Sequence, residues 1–278
     1  MNKKLSILII LYEENFEIIK KCLSQINQFK IIIIDNANDQ SLKDKIIENF
    51  KIYKYFLNKK NIGFSKAANQ GISECDTEYL LILGADCLIT YSDIEQLMLA
   101  KEKYKDCFLT SPTIYDHTGK LTYNGGPLNE VIKNSGDVCV DSVLTTAILF
   151  KVKDIINIGL LDEEFFLYFL DIDLCKRIKG IKKSIIQVHS SKAIHETGHL
   201  KVKNRFKKIF FRNFYFDYEE LYYLYKNNLH QKKYNMVKKK IPKFIFKFFI
   251  NLLIIRFDKS IYYLSKLLEF YKFRKFTK

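Results

Sequence analysis

Three short apolar runs constrain this chain most: Ser6–Leu11, Ile31–Ile34 and Tyr79–Leu83. None alternates apolar with polar residues, so each reads as a strand buried on both faces, as in a parallel sheet. Between them, Phe16, Ile19, Leu23 and Ile26 recur at helical spacing, and Ser65–Ser73 reads as a helix with small residues that permit close packing. Lys51–Leu57 fits a further short strand. Ser92-Asp93-Ile94-Glu95 has the form of a capping box, which predicts a helix from there toward Lys103. Strand and helix thus alternate over the first hundred residues, which predicts a parallel α/β sheet with right-handed crossovers. The pattern then loosens. Cys107–Thr110, Thr145–Val152 and Ser184–Val188 read as strands, Asp116–Gly119 and Asn124–Pro127 as turns, and Ile172–Ile178 as a helix that starts at Asp171.

Ligands of open α/β sheets bind beyond the carboxyl ends of the strands. Tyr12, Asp35 and Asp86 follow three of these runs, which points to one crevice. A second concentration of chemistry is Leu161–Arg177, where Asp162, Glu163, Glu164, Asp171 and Asp173 flank the apolar block Phe165–Leu170. Acid among aromatics is costly to bury unless it is paired or bound. An apolar wall also raises a carboxyl pKa, which suits a general base. The same stretch reads equally as a strand edge followed by a helix with Asp171 as N-cap.

At 278 residues the chain is one large domain, or one domain with an extension. Charge favours the second. Residues 201–278 hold 21 Lys or Arg against 5 Asp or Glu, and 22 of the 41 Phe and Tyr; residues 1–200 hold 25 against 26. Six widely spaced cysteines, with no C-x-x-C pair, read as reduced thiols of a cytosolic protein. The first apolar run is broken by Glu13 and Glu14, so it reads as a buried strand and not as a signal peptide. The basic aromatic tail fits three settings: single-stranded nucleic acid, a helical hairpin packed on a domain, or an anionic membrane. Ile241–Asp258 favours the membrane. On one helical wheel Lys243, Lys247, Asn251 and Asp258 share a narrow arc, and Phe244, Ile245, Phe248, Phe249, Leu252 and Ile255 cover much of the rest. The longest charge-free run is Phe248–Ile255, so the segment is expected to lie on a bilayer and not to span it.

Four blocks carry a resemblance. They are Ile10-Leu11-Tyr12-Glu13, Ile33-Ile34-Asp35-Asn36, the run Asn61-Ile62-Gly63-Phe64-Ser65-Lys66-Ala67-Ala68-Asn69-Gln70-Gly71, and Asp162–Tyr168 through Asp171–Arg177. In this order they resemble family 2 glycosyltransferases of the GT-A fold, in particular the rhamnosyltransferase-like branch, over about residues 5–200. Beside the basic helical extension (201–278) that charge and the wheel place at a membrane surface, the resemblance implies a GT-A α/β domain (1–200) with a mixed, mainly parallel sheet and flanking helices. It also implies an inverting transfer of a sugar from a UDP-, GDP- or dTDP-linked donor to a lipid-linked or surface glycan, at the cytoplasmic face of the cell membrane.

Carried over residue by residue, Asp35 would hold the nucleobase edge, and Leu11 and Tyr12 would line its pocket. Asn61, Gly63 and Asn69 would shape the segment that closes over the nucleotide, with Lys66 supplying charge nearby. Asp86 would be the last acid of the metal motif, with His195 completing a Mg²⁺ or Mn²⁺ site. Asp171 would be the catalytic base, and Asp162, Glu163, Phe166 and Tyr168 the acceptor-side wall; Asp173 reads as structural. Three positions depart from the family pattern: Gly84-Ala85-Asp86 has one acid, Leu170 stands where a second acid precedes the base, and Glu13 follows Tyr12 where Asn is commoner. These departures admit an alternative, a weakened relative that binds nucleotide-sugar or glycan without transferring it. A zinc hydrolase built on His195-Glu196-Thr197-Gly198-His199 is a remote alternative, because that pattern needs both histidines on one helix face. A nucleic-acid binder using the tail is another, and no nucleic-acid partner is expected.

Overall fold

The computed structural model describes residues 3–123, 136–196 and 204–277. It divides into two compact units, Met1–Glu163 with Asp171–Lys201, and Glu164–Leu170 with Val202–Lys278.

The first unit is the expected α/β body. The buried runs form β1 (Leu5–Leu11), β2 (Lys30–Asp35) and β4 (Tyr79–Gly84), with β3 (Lys54–Leu57) shorter than the sequence suggested. They pair in parallel in the order β3-β2-β1-β4. The sheet continues through β9 (Ala147–Lys151), β6 (Cys107–Tyr115), β10 (Ser184–His195) and β5 (Cys87–Ile89). Here antiparallel pairs enter: β4 with β9, β9 with β6, and β10 with β5. Two short strands, β7 (Leu121–Tyr123) and β8 (Val138–Cys139), pair with β6 and β10. The helices of this unit are α1 (Phe16–Ile26), α2 (Gln40–Asn49), α3 (Phe64–Ser73), α4 (Tyr91–Lys103), α5 (Val152–Asn157) and α6 (Leu170–Gly180).

Ile19, Cys22, Leu23 and Ile26 of α1 are buried in a core shared with residues of β1, β2 and β4, as their spacing requires. On α3, a Cβ built on Gly71 would stand 2.3 Å from Leu8 Cδ1 of β1, so only glycine allows this helix to sit so close to the sheet. The capping box of α4 is displaced from its expected place. Thr90 is the N-cap, its hydroxyl accepting from Asp93 N at 3.2 Å while Asp93 accepts from Thr90 N at 3.2 Å. Ser92 and Glu95 lie inside the helix instead. Asn124–Pro127 falls outside the described residues. All six cysteines are free.

The second unit contains α7 (Arg205–Lys226), α8 (Gln231–Leu253) and α9 (Phe257–Phe276), with a core of Tyr218, Leu221 and Phe273 and Tyr234 packed against it. The segment Glu164–Leu170 belongs to this unit. Three of its consecutive backbone N–H groups, from Phe166, Leu167 and Tyr168, donate to the buried carboxylate of Glu219 at 2.9, 3.1 and 2.5 Å. Phe166 stacks on Tyr215 with centroids 4.0 Å apart, and Phe165 meets Tyr222 edge-on. The hydroxyl of Tyr218 hydrogen-bonds to Glu164, and Lys272 lies 3.2 Å from the same carboxylate.

Ile241–Asp258 is not one helix. The chain turns after Leu253, and Asp258 belongs to α9. The arc runs from an exposed Lys243 through a half-buried Lys247 to Asn251, which is 5% exposed and whose side-chain amide donates to Lys247 O at 2.6 Å. Among the described residues, no helix is long and apolar enough to cross a membrane.

Candidate active site at the carboxyl ends of the parallel strands

Strand register sets the first row of the site. Leu11 lies opposite Asp35, Asp35 opposite Leu57, and Ile10 opposite Gly84. Tyr12 leaves β1 half-buried. Asp35 is fully buried, its Oδ1 accepting from Ala37 N at 2.7 Å and its Oδ2 from the Tyr55 hydroxyl at 3.1 Å. Burial raises its carboxyl pKa, and these hydrogen bonds pull it partly back. Asn36 and Asn58 tie the row to the next loop. Asn36 Nδ2 donates to Gly63 O at 3.2 Å, and Asn58 Nδ2 donates to Asn36 Oδ1 at 2.9 Å. Asn61 Oδ1 accepts from Gly63 N at 2.9 Å, and Gly63 takes a φ of 87° as it caps α3, a conformation open to glycine. Lys66 points from α3 into solvent.

Asn69 belongs to α3. It is 7% exposed and joins α3 to the start of the acidic segment. Its Nδ2 donates to Leu161 O at 2.9 Å and to Glu163 Oε1 at 3.2 Å, and its Oδ1 accepts from Leu161 N at 3.0 Å.

The second group forms where β5 lies on β10. His195 pairs with Cys87, and Glu196 N donates to Asp86 O at 3.0 Å. This register brings His195 Nε2 to 3.2 Å from Asp86 Oδ1, with both side chains about one fifth exposed. Glu14 belongs with them: its carboxyl is pushed up to about 7, first by burial and then by the negative charge of Asp86. Sequence reasoning took Glu14 only as a residue that breaks an apolar run; nothing in its spacing placed it near Asp86. Among the described residues, no group of three or more His, Cys, Asp or Glu side chains is arranged to hold a metal ion. Asp86 and His195 alone fit a site to which an anionic ligand contributes the remaining oxygens.

Asp171 is the second residue of α6, which starts one residue earlier than expected, so it lies in the first turn and is not the N-cap; it is half-buried, with Oδ1 accepting from Ile172 N at 2.9 Å. Burial raises its pKa, and backbone hydrogen bonds offset part of the rise. Asp173 is 3% exposed and 2.8 Å from Arg177 Nε, and Arg177 also donates to Ile158 O and Leu160 O. Its carboxylate is committed to holding the chain. Of the expected acceptor-side residues, Asp162 and Glu163 belong to the first unit, and Phe166 and Tyr168 to the second.

The zinc-hydrolase alternative loses its frame. His195 closes β10, a strand, so it cannot share a helix face with a second histidine. Thr197, Gly198 and His199 lie outside the described residues.

Comparison with known proteins supplies the family. The model for Glycosyl transferase family 2 matches residues 6–144, half of the chain, and the chain belongs to that family. It is 23% identical over 225 residues to the dTDP-rhamnosyl transferase RfbF of Shigella flexneri, covering 73% of this chain and 72% of that one. It is 26% identical over 209 residues to the low-salt glycan biosynthesis hexosyltransferase Agl10 of Haloferax volcanii, covering 69% and 66%. In fold it resembles GalNAc-T7, solved with UDP, GalNAc and Mn²⁺, with a TM-score of 0.59 at 16% identity over 69% of this chain. The chain spans 44% of that structure, less than half its length. The fold is that of GT-A glycosyltransferases.

Proposed function

We propose that this glycosyltransferase moves a sugar from a nucleotide-diphosphate donor to a hydroxyl of a lipid-linked or surface glycan, with inversion, at the cytoplasmic face of the cell membrane. In this reading residues 1–200 form the catalytic domain and 201–278 an extension that holds it at the membrane. The pairing of Asp86 with His195, 3.2 Å apart beyond β4, carries the reading. It sets a carboxylate and an imidazole where an α/β sheet receives a phosphorylated ligand. Leu11, Tyr12 and Asp35 are the base-side row, with Asn61 and Gly63 shaping the adjoining loop and Lys66 adding positive charge. Asn69 acts by holding Leu161–Glu163.

A Mg²⁺ or Mn²⁺ ion, when bound by Asp86, His195 and the donor diphosphate, would offset the charge that collects on the leaving group. Asp171 takes the proton of the acceptor hydroxyl as that oxygen bonds to the anomeric carbon and the bond to the diphosphate breaks. One displacement assisted by one base inverts the centre. The relative RfbF is named for a dTDP-rhamnosyl transfer and GalNAc-T7 was solved with UDP and Mn²⁺, which supports a nucleotide-sugar donor and a divalent ion.

A thermal-shift screen against UDP-, GDP- and dTDP-sugars, with and without Mn²⁺, tests the donor. Stabilisation by one nucleotide class is expected, and none by any class would sink the reading. A second reading, binding without transfer, draws on Leu170, which is buried at 3% exposure where the family places an acid. It predicts donor binding with no release of nucleoside diphosphate in the presence of any acceptor.

A further inference from the structure

The turn between α8 and α9 exposes apolar side chains that soluble surfaces normally cover. Leu253 is 80% exposed, Ile255 73%, Phe246 60%, Phe249 56%, Ile254 54% and Phe257 46%. They cluster at one end of the hairpin, and an exposed apolar patch rimmed by charge marks an interaction surface.

The backbone at this turn strengthens the case. Ile255 N donates to Leu252 O at 3.2 Å and Arg256 N to Asn251 O at 2.8 Å, the bonding of a Schellman motif. Ile255 occupies its left-handed position with a φ of 58°, where glycine is the usual residue. It is the one β-branched side chain with positive φ among the described residues. The end of α7 is an internal contrast. The same bonding recurs there, from Asn228 N to Tyr225 O and from Leu229 N to Leu224 O, with Asn228 at the left-handed position. Asparagine tolerates that conformation; isoleucine is strained in it. At α8 an isoleucine takes the strained position with its side chain exposed, so packing within the chain does not account for it.

The charge around the tip says what covers it. Residues 231–259 hold nine Lys or Arg and one acid, Asp258, which is paired with Arg205. Lys239, Lys240 and Lys243 are exposed, and Lys247 is half-buried. At about 1.5 Å per residue, Lys247 lies about 9 Å and Lys243 about 15 Å behind Leu253 along α8. That spacing matches an apolar tip sunk about 5–10 Å into a bilayer, with lysines at the phosphates.

We propose that Leu253, Ile254, Ile255 and Phe257, with Phe246 and Phe249 behind them, form a wedge that enters an anionic lipid bilayer, and that Lys243 and Lys247 bind the lipid phosphates. This replaces a helix lying flat with a hairpin inserted by its turn. It deepens the membrane part of the proposed function and rests on no step of the transfer, so it is tested without donor or acceptor.

The chain has no tryptophan, so Leu253→Trp in the full-length protein is a single reporter. With phosphatidylcholine vesicles containing phosphatidylglycerol, its emission shifts to shorter wavelength and is quenched by brominated acyl chains. Vesicles of phosphatidylcholine alone give much less of either. Ile254→Asn with Ile255→Asn weakens vesicle binding about tenfold without lowering the melting temperature, because asparagine suits the left-handed site. Lys243→Gln with Lys247→Gln lowers the preference for phosphatidylglycerol several-fold. An unshifted reporter, or a double asparagine variant that binds as tightly as the parent, overturns the proposal. So does tip-dependent binding of a single-stranded oligonucleotide in place of vesicles.

Discussion

Asn69 and Leu161 hold each other twice: the side-chain amide of Asn69 donates to Leu161 O at 2.9 Å and accepts from Leu161 N at 3.0 Å. One side chain thus completes the backbone of a segment 92 residues away, as a neighbouring strand would. Asn69→Ala leaves a buried N–H and C=O without partners and is expected to cost about 2 kcal/mol. Urea unfolding checks this, and an unchanged midpoint would remove the role.

Asp171→Asn is expected to lower transfer by at least about a hundredfold while donor-induced thermal stabilisation is kept. The reaction needs the ionised carboxylate, and burial raises its pKa above 3.8. The acid limb of the wild-type rate profile therefore lies above that value, with rate lost as pH falls through it. Wild-type turnover in the variant would reassign the base.

Gly71→Ala should destabilise the first unit by about 1–3 kcal/mol, since Leu8 is in the way and the core has no slack. Calorimetry of the variant alone, and again with Leu8→Ala, separates this clash from a loss of backbone freedom. Relief by the second change is the expected result.

Glu219→Ala frees the N–H groups of Phe166, Leu167 and Tyr168 together. Their amide exchange should quicken by at least about tenfold relative to the rest of the second unit. Glu219→Gln keeps one acceptor oxygen and should restore part of the protection.

Glu269 in α9 is 1% exposed, and its Oε2 has no hydrogen-bond partner among the described residues. Burial first, and the nearby Asp217 second, push its carboxyl from 4.5 up to about 8. Lys266, Lys233 and Glu220 also act on it. The unfolded chain releases this proton at lower pH than the folded one. The contribution of Glu269 to the stability of the second unit is therefore fully present below pH 4.5, falls as pH rises toward about 8, and levels off above. Glu219, raised to about 7, adds to the same slope. Unfolding midpoints across that range should fall with pH, and Glu269→Gln should flatten the fall.

The α/β body was legible because its strands are continuous apolar runs, which admit few other placements. Register was not. Nothing between Asp86 and His195 announces that β10 lies beside β5, and a family resemblance was needed to pair them. Glu14 escaped notice because its environment comes from burial beside Asp86, which spacing does not encode. Asn69 carried a motif signal, but its partner Leu161 is a backbone group, and sequence patterns do not mark backbone partners. The wheel over Ile241–Asp258 misled because periodicity continues through a turn that left-handed Ile255 makes. Of the residues on that wheel only Phe249 and Ile255 belong to the exposed tip, and Leu253, Ile254 and Phe257 come to it through the turn.

The place of β10 has a consequence for how the enzyme comes into being. The four parallel strands draw on the first 84 residues, whereas His195 emerges 109 residues after Asp86. Chains fold from the amino terminus as they are made, and distant strand pairing is slow. A growing chain therefore completes its nucleotide-facing row well before it can join Asp86 to His195. On the proposed function, transfer therefore waits until β10 has docked beside β5.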